Sequence, residues 1–186
     1  MEAFLTSTLL VAVAEIGDKT QLLSFVLAAR LRQPLAIIAG ILVATIANHA
    51  LAGSLGAWLA RFAEPGMLQW ITGLLFIGFG LWALHPDALE DDPKIHRAGA
   101  FATALIAFFL AEMGDKTQFA TIALAARFDS LAAVVLGTTL GMMLANVPAV
   151  IIGGTLAERL PMRAIRYSAA GLFMLTGALT LLGWPA

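Results

Sequence analysis

Long apolar runs separated by short polar punctuation set the plan of this chain. Crossing a bilayer as a helix takes about 20 apolar residues. Six stretches meet that length: 3–29, 35–60, 67–84, 98–126, 131–157 and 167–184. Arg30, Arg32 and Pro34 close the first run, since charge ends it and Pro34 suits the first turn of the next helix. The third run is rich in glycine (Gly73, Gly78, Gly80), which lets helices approach closely. One sizeable polar stretch, 85–97, carries Asp87, Glu90, Asp91, Asp92 and Lys94. Trp58, Trp70, Trp82 and Trp184 fall near the expected helix ends, where an interfacial aromatic belt would place them. The pattern predicts an all-α membrane protein of six transmembrane helices.

Two of the six runs carry charge in their middle. The first contains Glu15-Ile16-Gly17-Asp18-Lys19-Thr20-Gln21, and the fourth contains Glu112-Met113-Gly114-Asp115-Lys116-Thr117-Gln118. Six of the seven letters agree at an offset of 97 residues, from Glu15 to Glu112. Each ionisable side chain at a helix centre costs about 2.5–3.5 kcal/mol on insertion scales. A chain that bears this cost twice, in the same residues, has a use for the charges. The repeat reaches further: Ala28-Ala29-Arg30 matches Ala125-Ala126-Arg127, and Gly40 matches Gly137. With one inserted residue, Asn48 matches Asn146, Gly56 matches Gly154, Arg61 matches Arg159, and Gly73-Leu74 matches Gly171-Leu172.

The expected organisation is therefore two three-helix repeats, 1–84 and 98–186, joined by an acidic linker at 85–97. An odd number of spans makes the second repeat enter from the opposite side. That is the inverted topology of many secondary transporters, whose sites lie at the midplane between repeats. Arg30, Arg32, Lys94, Arg97, Arg159, Arg163 and Arg166 collect on one side, against Arg61 and Arg127 on the other. The positive-inside rule then puts the linker in the cytoplasm and both termini outside. Met1-Glu2 precedes no basic segment, so the first run reads as a retained helix rather than a cleaved signal peptide.

Composition removes several function classes. Charged residues make up 12% of the 186, about half the usual share of a soluble domain. A net charge of −1 offers no basic surface to nucleic acid, and the absence of cysteine excludes disulfides, iron–sulfur clusters and thiolate metal sites.

On a continuous helix Glu15 and Asp18 are three apart and share a face, as do Glu112 and Asp115. Inverted symmetry would bring both pairs together, with Asn48 and Asn146 at similar depth and Thr20, Gln21, Thr117 and Gln118 within about a turn. Such an oxygen-rich set suits hard divalent cations such as Ca²⁺, Mn²⁺ or Mg²⁺. Four carboxylates and two lysines, Lys19 and Lys116, sum to −2, which one divalent cation or two protons would neutralise. Crowded carboxylates cannot all stay ionised, so an empty site would take protons and a metal would displace them. Gly17 and Gly114 would let each helix unwind locally. The alternative for the whole motif is a set of buried ion pairs holding helices together. A counter-ion role is expected of Lys19 and Lys116. Ligation and interhelical hydrogen bonding are both open to Asn48 and Asn146. His49, matched by Val147, reads as a packed polar residue, Met113 as core filler, and Glu90-Asp91-Asp92 as a solvated linker.

Two copies of E-x-G-D-K-[TS], one per three-helix repeat with an acidic linker between, resemble the GDT-type cation exchangers, and the resemblance spans essentially the whole chain. That family includes bacterial manganese exporters and relatives of the Golgi and chloroplast. The resemblance implies a secondary transporter, not an enzyme, that moves Mn²⁺, and in some members Ca²⁺, out of the cytosol against protons. It carries Glu15, Asp18, Glu112 and Asp115 over as the signature acids, completed by Lys19, Thr20, Lys116 and Thr117. The metal is then transported substrate rather than cofactor, and the partners are divalent cation, proton and lipid bilayer, with a homodimer open to it. Without the N-terminal leader of eukaryotic members, a prokaryotic cell membrane is the expected location. The rival readings are a Ca²⁺/H⁺ antiporter and, from another class, an intramembrane aspartyl protease built on Asp18 and Asp115.

Overall fold

The computed structural model describes residues 1–85, 99–152 and 162–183, with the backbone alone at 65, 162, 163, 165 and 166. Among the described residues the chain forms eight helices and no strand: α1 (Glu2–Glu15), α2 (Lys19–Leu31), α3 (Pro34–Ala60), α4 (Pro65–Ala83), α5 (Ala100–Glu112), α6 (Lys116–Arg127), α7 (Leu131–Ile152) and α8 (Met162–Leu181). Pro34 opens α3, where its missing N–H costs nothing. Among the described residues three helices are long and apolar enough to cross a membrane: α3, α4 from Gly66 onward, and α7. Most of the linker expected at 85–97, together with Gly154, Arg159 and Trp184, lies outside the described residues.

Gly17 and Gly114 allow the first and fourth spans to unwind, and the structure decides that they do. Each divides at its motif, the first into α1 and α2 and the fourth into α5 and α6. Gly17 and Gly114 stand at φ 84° and 75°. That left-handed backbone is one glycine adopts freely and costs other residues energy.

Polarity is distributed inside out. Leu5, Leu9, Leu51, Leu74, Leu110, Leu136 and Ile151 face outward, while Ser7, Glu15, Asp18, Thr20, Asn48, His49, Glu112, Asp115 and Asn146 are buried. Such an arrangement suits a lipid surround, where apolar atoms meet apolar solvent and polar groups must find partners within. Trp58, Trp70 and Trp82 are exposed, as a belt requires.

The packing follows the repeat. α1 lies on α7 and α5 on α3, while α3 meets α7 and α4 pairs with α8. A Cβ built on Gly137 of α7 would stand 2.5 Å from the Phe4 carbonyl oxygen of α1, and one on Gly40 of α3 would stand 2.6 Å from that of Phe101 of α5. Gly40 and Gly137, and Phe4 and Phe101, are the same positions of the two sequence repeats. Only hydrogen at these glycines lets the backbones touch, and the close approach yields the dispersion contact that drives helix association in lipid. The helices around the charged motifs are thereby clamped at corresponding points.

Candidate functional site

Each motif is a break between two helices, built twice on one plan. Glu15 ends α1 and Asp18 stands at the N-cap position of α2, while Glu112 ends α5 and Asp115 stands at that of α6, where its side chain accepts from the Thr117 N–H. Between them Ile16 and Met113 are extended, with ψ 115° and 120°. The Asp18 N–H donates to the Glu15 carbonyl at 3.1 Å, and the Asp115 N–H to that of Glu112 at 3.2 Å. The glycine N–H freed by the break is taken by the glutamine four residues on: Gly17 donates to Gln21 Oε1 at 2.9 Å, and Gly114 to Gln118 Oε1 at 2.8 Å. This assigns work to Gln21 and Gln118: they hold the break open and are not free to present that oxygen elsewhere. The helical-face rationale for Glu15 with Asp18 does not hold, because a helix ends between them.

The breaks bring the acids together by another route. Thr20 donates to Glu15 Oε2 at 2.6 Å and Thr117 to Glu112 Oε2 at 2.9 Å, each from the helix beyond the break. Glu15, Glu112 and Asp115 each offer a carboxylate oxygen within 4.8 Å of the others. The lysines then cross between halves: Lys19 pairs with Asp115 at 2.7 Å, and Lys116 with Asp18. Asp18 therefore enters the cluster through an ammonium of the other motif. Each lysine thus pairs with an acid of the other motif, a partner the sequence did not indicate.

Burial makes the arrangement expensive. Glu15 and Glu112 are wholly buried, and the Oε1 atom of each has no hydrogen-bond partner among the described residues. A buried carboxylate oxygen without a donor costs free energy that a proton or a metal ion would offset. The C-terminal ends of α1 and α5 converge on the same place, and the negative end of a helix dipole favours a cation.

The asparagines, matched in sequence, differ in use. Asn146 Oδ1 accepts from Ser24 at 2.8 Å, and its Nδ2 donates to the Met142 carbonyl at 3.1 Å. Asn48 donates to the Phe109 carbonyl at 3.1 Å, while its Oδ1 has no partner among the described residues. His49 is fully buried, and neither ring nitrogen finds a partner among the described residues. Met113 is exposed rather than core filler, because the break turns it outward. Ser24, which sequence reasoning passed over, is buried one turn beyond Thr20, and its small polar side chain in an apolar run was the available signal.

A polytopic helical protein that buries four acids and a lysine between two pairs of interrupted helices has the construction of a membrane transporter. The family described as "Divalent cation/proton antiporter GDT1" matches residues 3–91 and 100–185, and the chain belongs to it. It is 49% identical to a Vibrio cholerae protein named "Putative manganese exporter", over 97% of this chain and 90% of that one. It is 30% identical to "GDT1-like protein 5" of Arabidopsis thaliana, covering 98% of this chain and 96% of the relative. It is 32% identical to "GDT1-like protein 4" of the same plant, covering 95% and 94%. No solved structure matches the chain.

Proposed function

We propose that this protein is a secondary-active transporter that exports Mn²⁺ from the cytoplasm of a prokaryotic cell in exchange for protons. One observation carries the reading: two fully buried glutamates, each with an oxygen unpartnered among the described residues, offer a carboxylate oxygen within 4.8 Å of each other and of one from Asp115, between broken helices. Glu15, Glu112 and Asp115 bind the cation or its replacing protons directly. Asn48 Oδ1, which has no partner among the described residues, is the asparagine oxygen open to join them. Asp18 and the two lysines balance charge: four carboxylates and two ammoniums leave −2, which one divalent cation or two protons cancels. The matched contacts at Gly40 and Gly137 support two inverted repeats, 1–84 and 98–186, which gives six membrane crossings with α1–α2 and α5–α6 each forming one. The arginine and lysine distribution supports termini outside and a cytoplasmic linker.

Because protons and metal compete for the same oxygens, apparent Mn²⁺ affinity falls as pH falls. An all-oxygen site also supports a Ca²⁺/H⁺ antiporter, which competition between the two ions for uptake into vesicles separates. The protease reading loses its support, since Asp18 and Asp115 each hold a lysine of the other motif rather than sharing a proton. The test is Mn²⁺ flux in loaded proteoliposomes. Glu15→Gln and Asp115→Asn abolish it if the reading holds, and undiminished flux in either variant refutes it.

A further inference from the structure

Two places related by the repeat are packed in opposite ways. A cavity of about 270 Å³ lies between the end of α2, the start of α3 and the end of α7, lined by Ala28, Arg32, Pro34, Val150 and Ile151. The repeat carries these five positions onto Ala125, Asp129, Leu131, Ala52 and Gly53, at an offset of 97 for the first three and 98 for the last two. At that second place the helices are in contact. A Cβ on Gly53 would stand 2.7 Å from Leu131 Cδ1 and 3.7 Å from Ala125 Cβ, and one on Gly56 would stand 2.1 Å from the Ile122 carbonyl oxygen. Ala125 is buried where its counterpart Ala28 is partly exposed, while Ala52 and its counterpart Val150 are both buried. Equivalent residues thus surround a void at one end and a tight seam at the other.

The void stops close to the acidic cluster. Ser24, one turn before Ala28, donates to Asn146 Oδ1 at 2.8 Å, and Asn146 is one turn before Val150. Deeper still, Gln21 donates to the Ala145 carbonyl at 3.1 Å, and Gln21 itself belongs to the first motif. At the sealed end the matching residues bond elsewhere: Thr121 donates to the Thr117 carbonyl at 2.8 Å and Asn48 to that of Phe109 at 3.1 Å.

We propose that this asymmetry is the ion pathway held in one of its two states. The α2–α3–α7 cavity is the open approach, closed from the acids by a thin gate, the Ser24–Asn146 and Gln21–Ala145 hydrogen bonds. The α3–α6 seam at Gly53, Gly56, Ile122 and Ala125 is the sealed exit. Transport exchanges the two packings: α2 closes on α7 as α6 parts from α3, and the open end moves from the Arg32 side to the Asp129 side. The inference rests on the transport reading and adds the residues that gate it.

The chain has no cysteine, so engineered thiols are its only ones. In Gly53→Cys/Ala125→Cys the 3.7 Å Cβ separation falls in the disulfide range of about 3.5–4.5 Å. Oxidation should staple the seam and lower Mn²⁺ flux in proteoliposomes about tenfold or more, with recovery on reduction. Single variants give a second measure that needs no flux. In metal-free protein in detergent, Ala28→Cys should react with a hydrophilic maleimide about tenfold faster than Ala125→Cys. Full flux through the oxidised pair, or equal labelling of the two single thiols, overturns the gate assignment. A wild-type chain that moves no Mn²⁺ overturns the transport reading instead, and the labelling contrast still decides the gate.

Discussion

Replacing Lys116 with Met asks how much of the fold hangs on charges exchanged between the halves. The two crossing pairs have the same chemistry in different surroundings. Lys116 and Asp18 have side chains 6% and 0% exposed, whereas Lys19 is 25% exposed beside an Asp115 at 3%. Removing one member of a fully buried pair leaves a charge without compensation and costs about 3–5 kcal/mol. Exposed pairs contribute about 0–1 kcal/mol, so the partly hydrated Lys19 pair falls between, at about 1–2 kcal/mol. For a chain of this size each kcal/mol moves Tm by about 2–4 °C. Lys116→Met should therefore lower Tm by about 6–20 °C and Lys19→Met by about 2–8 °C, read by tryptophan fluorescence in detergent without metal. Adding Asp18→Asn to Lys116→Met removes the carboxylate that lost its ammonium and should recover at least half the loss. Equal losses for the two lysines, or a double variant no better than Lys116→Met, would refute the reasoning that burial sets the cost.

Three further expectations follow from the geometry. Titration calorimetry of Mn²⁺ at two pH values should show weaker binding at the lower pH and net proton release on binding, and a pH-independent affinity would contradict a shared proton and metal site. Gly114→Ala meets nothing within 4 Å but must hold φ 75°, so it should cost about 1–2 kcal/mol and weaken Mn²⁺ binding without changing helix content by circular dichroism. Gly137→Ala drives a methyl into the Phe4 carbonyl and should destabilise by about 1–3 kcal/mol, whereas exposed Gly78→Ala, with open space around it, should be neutral or stabilising by up to about 1 kcal/mol in thermal unfolding.

The apolar runs made the helices legible, and the doubled motif marked where function would concentrate. Both follow from local composition: a helix in lipid must be apolar along its length, and an exception stands out. The division of the first and fourth runs was hinted at by Gly17 and Gly114 but not decided, because glycine permits a break without requiring one. Reading Glu15 and Asp18 on one helical face gave a convergence of acids through a geometry the chain does not adopt. The exchange of lysines was hidden, since Lys19 sits beside Asp18 in sequence and only the docking of the halves offers it Asp115 instead. The matched Asn48 and Asn146 concealed their difference for the same reason: Ser24 and Thr121 each make one local choice, donating to Asn146 or to the Thr117 carbonyl, and sequence does not weigh such choices.

The crossed lysines bind the two copies of the motif into a single unit of inheritance. Lys116 pairs with Asp18 and Lys19 with Asp115, so each copy draws an ion pair from the other. Fragment 1–84 expressed alone would keep Asp18 and Lys19 but lose the partner that each takes from the other half. On the proposed inverted topology, two such fragments would offer each other those partners by inserting head to tail in one membrane, the arrangement that a gene fused to its own duplicate would make permanent.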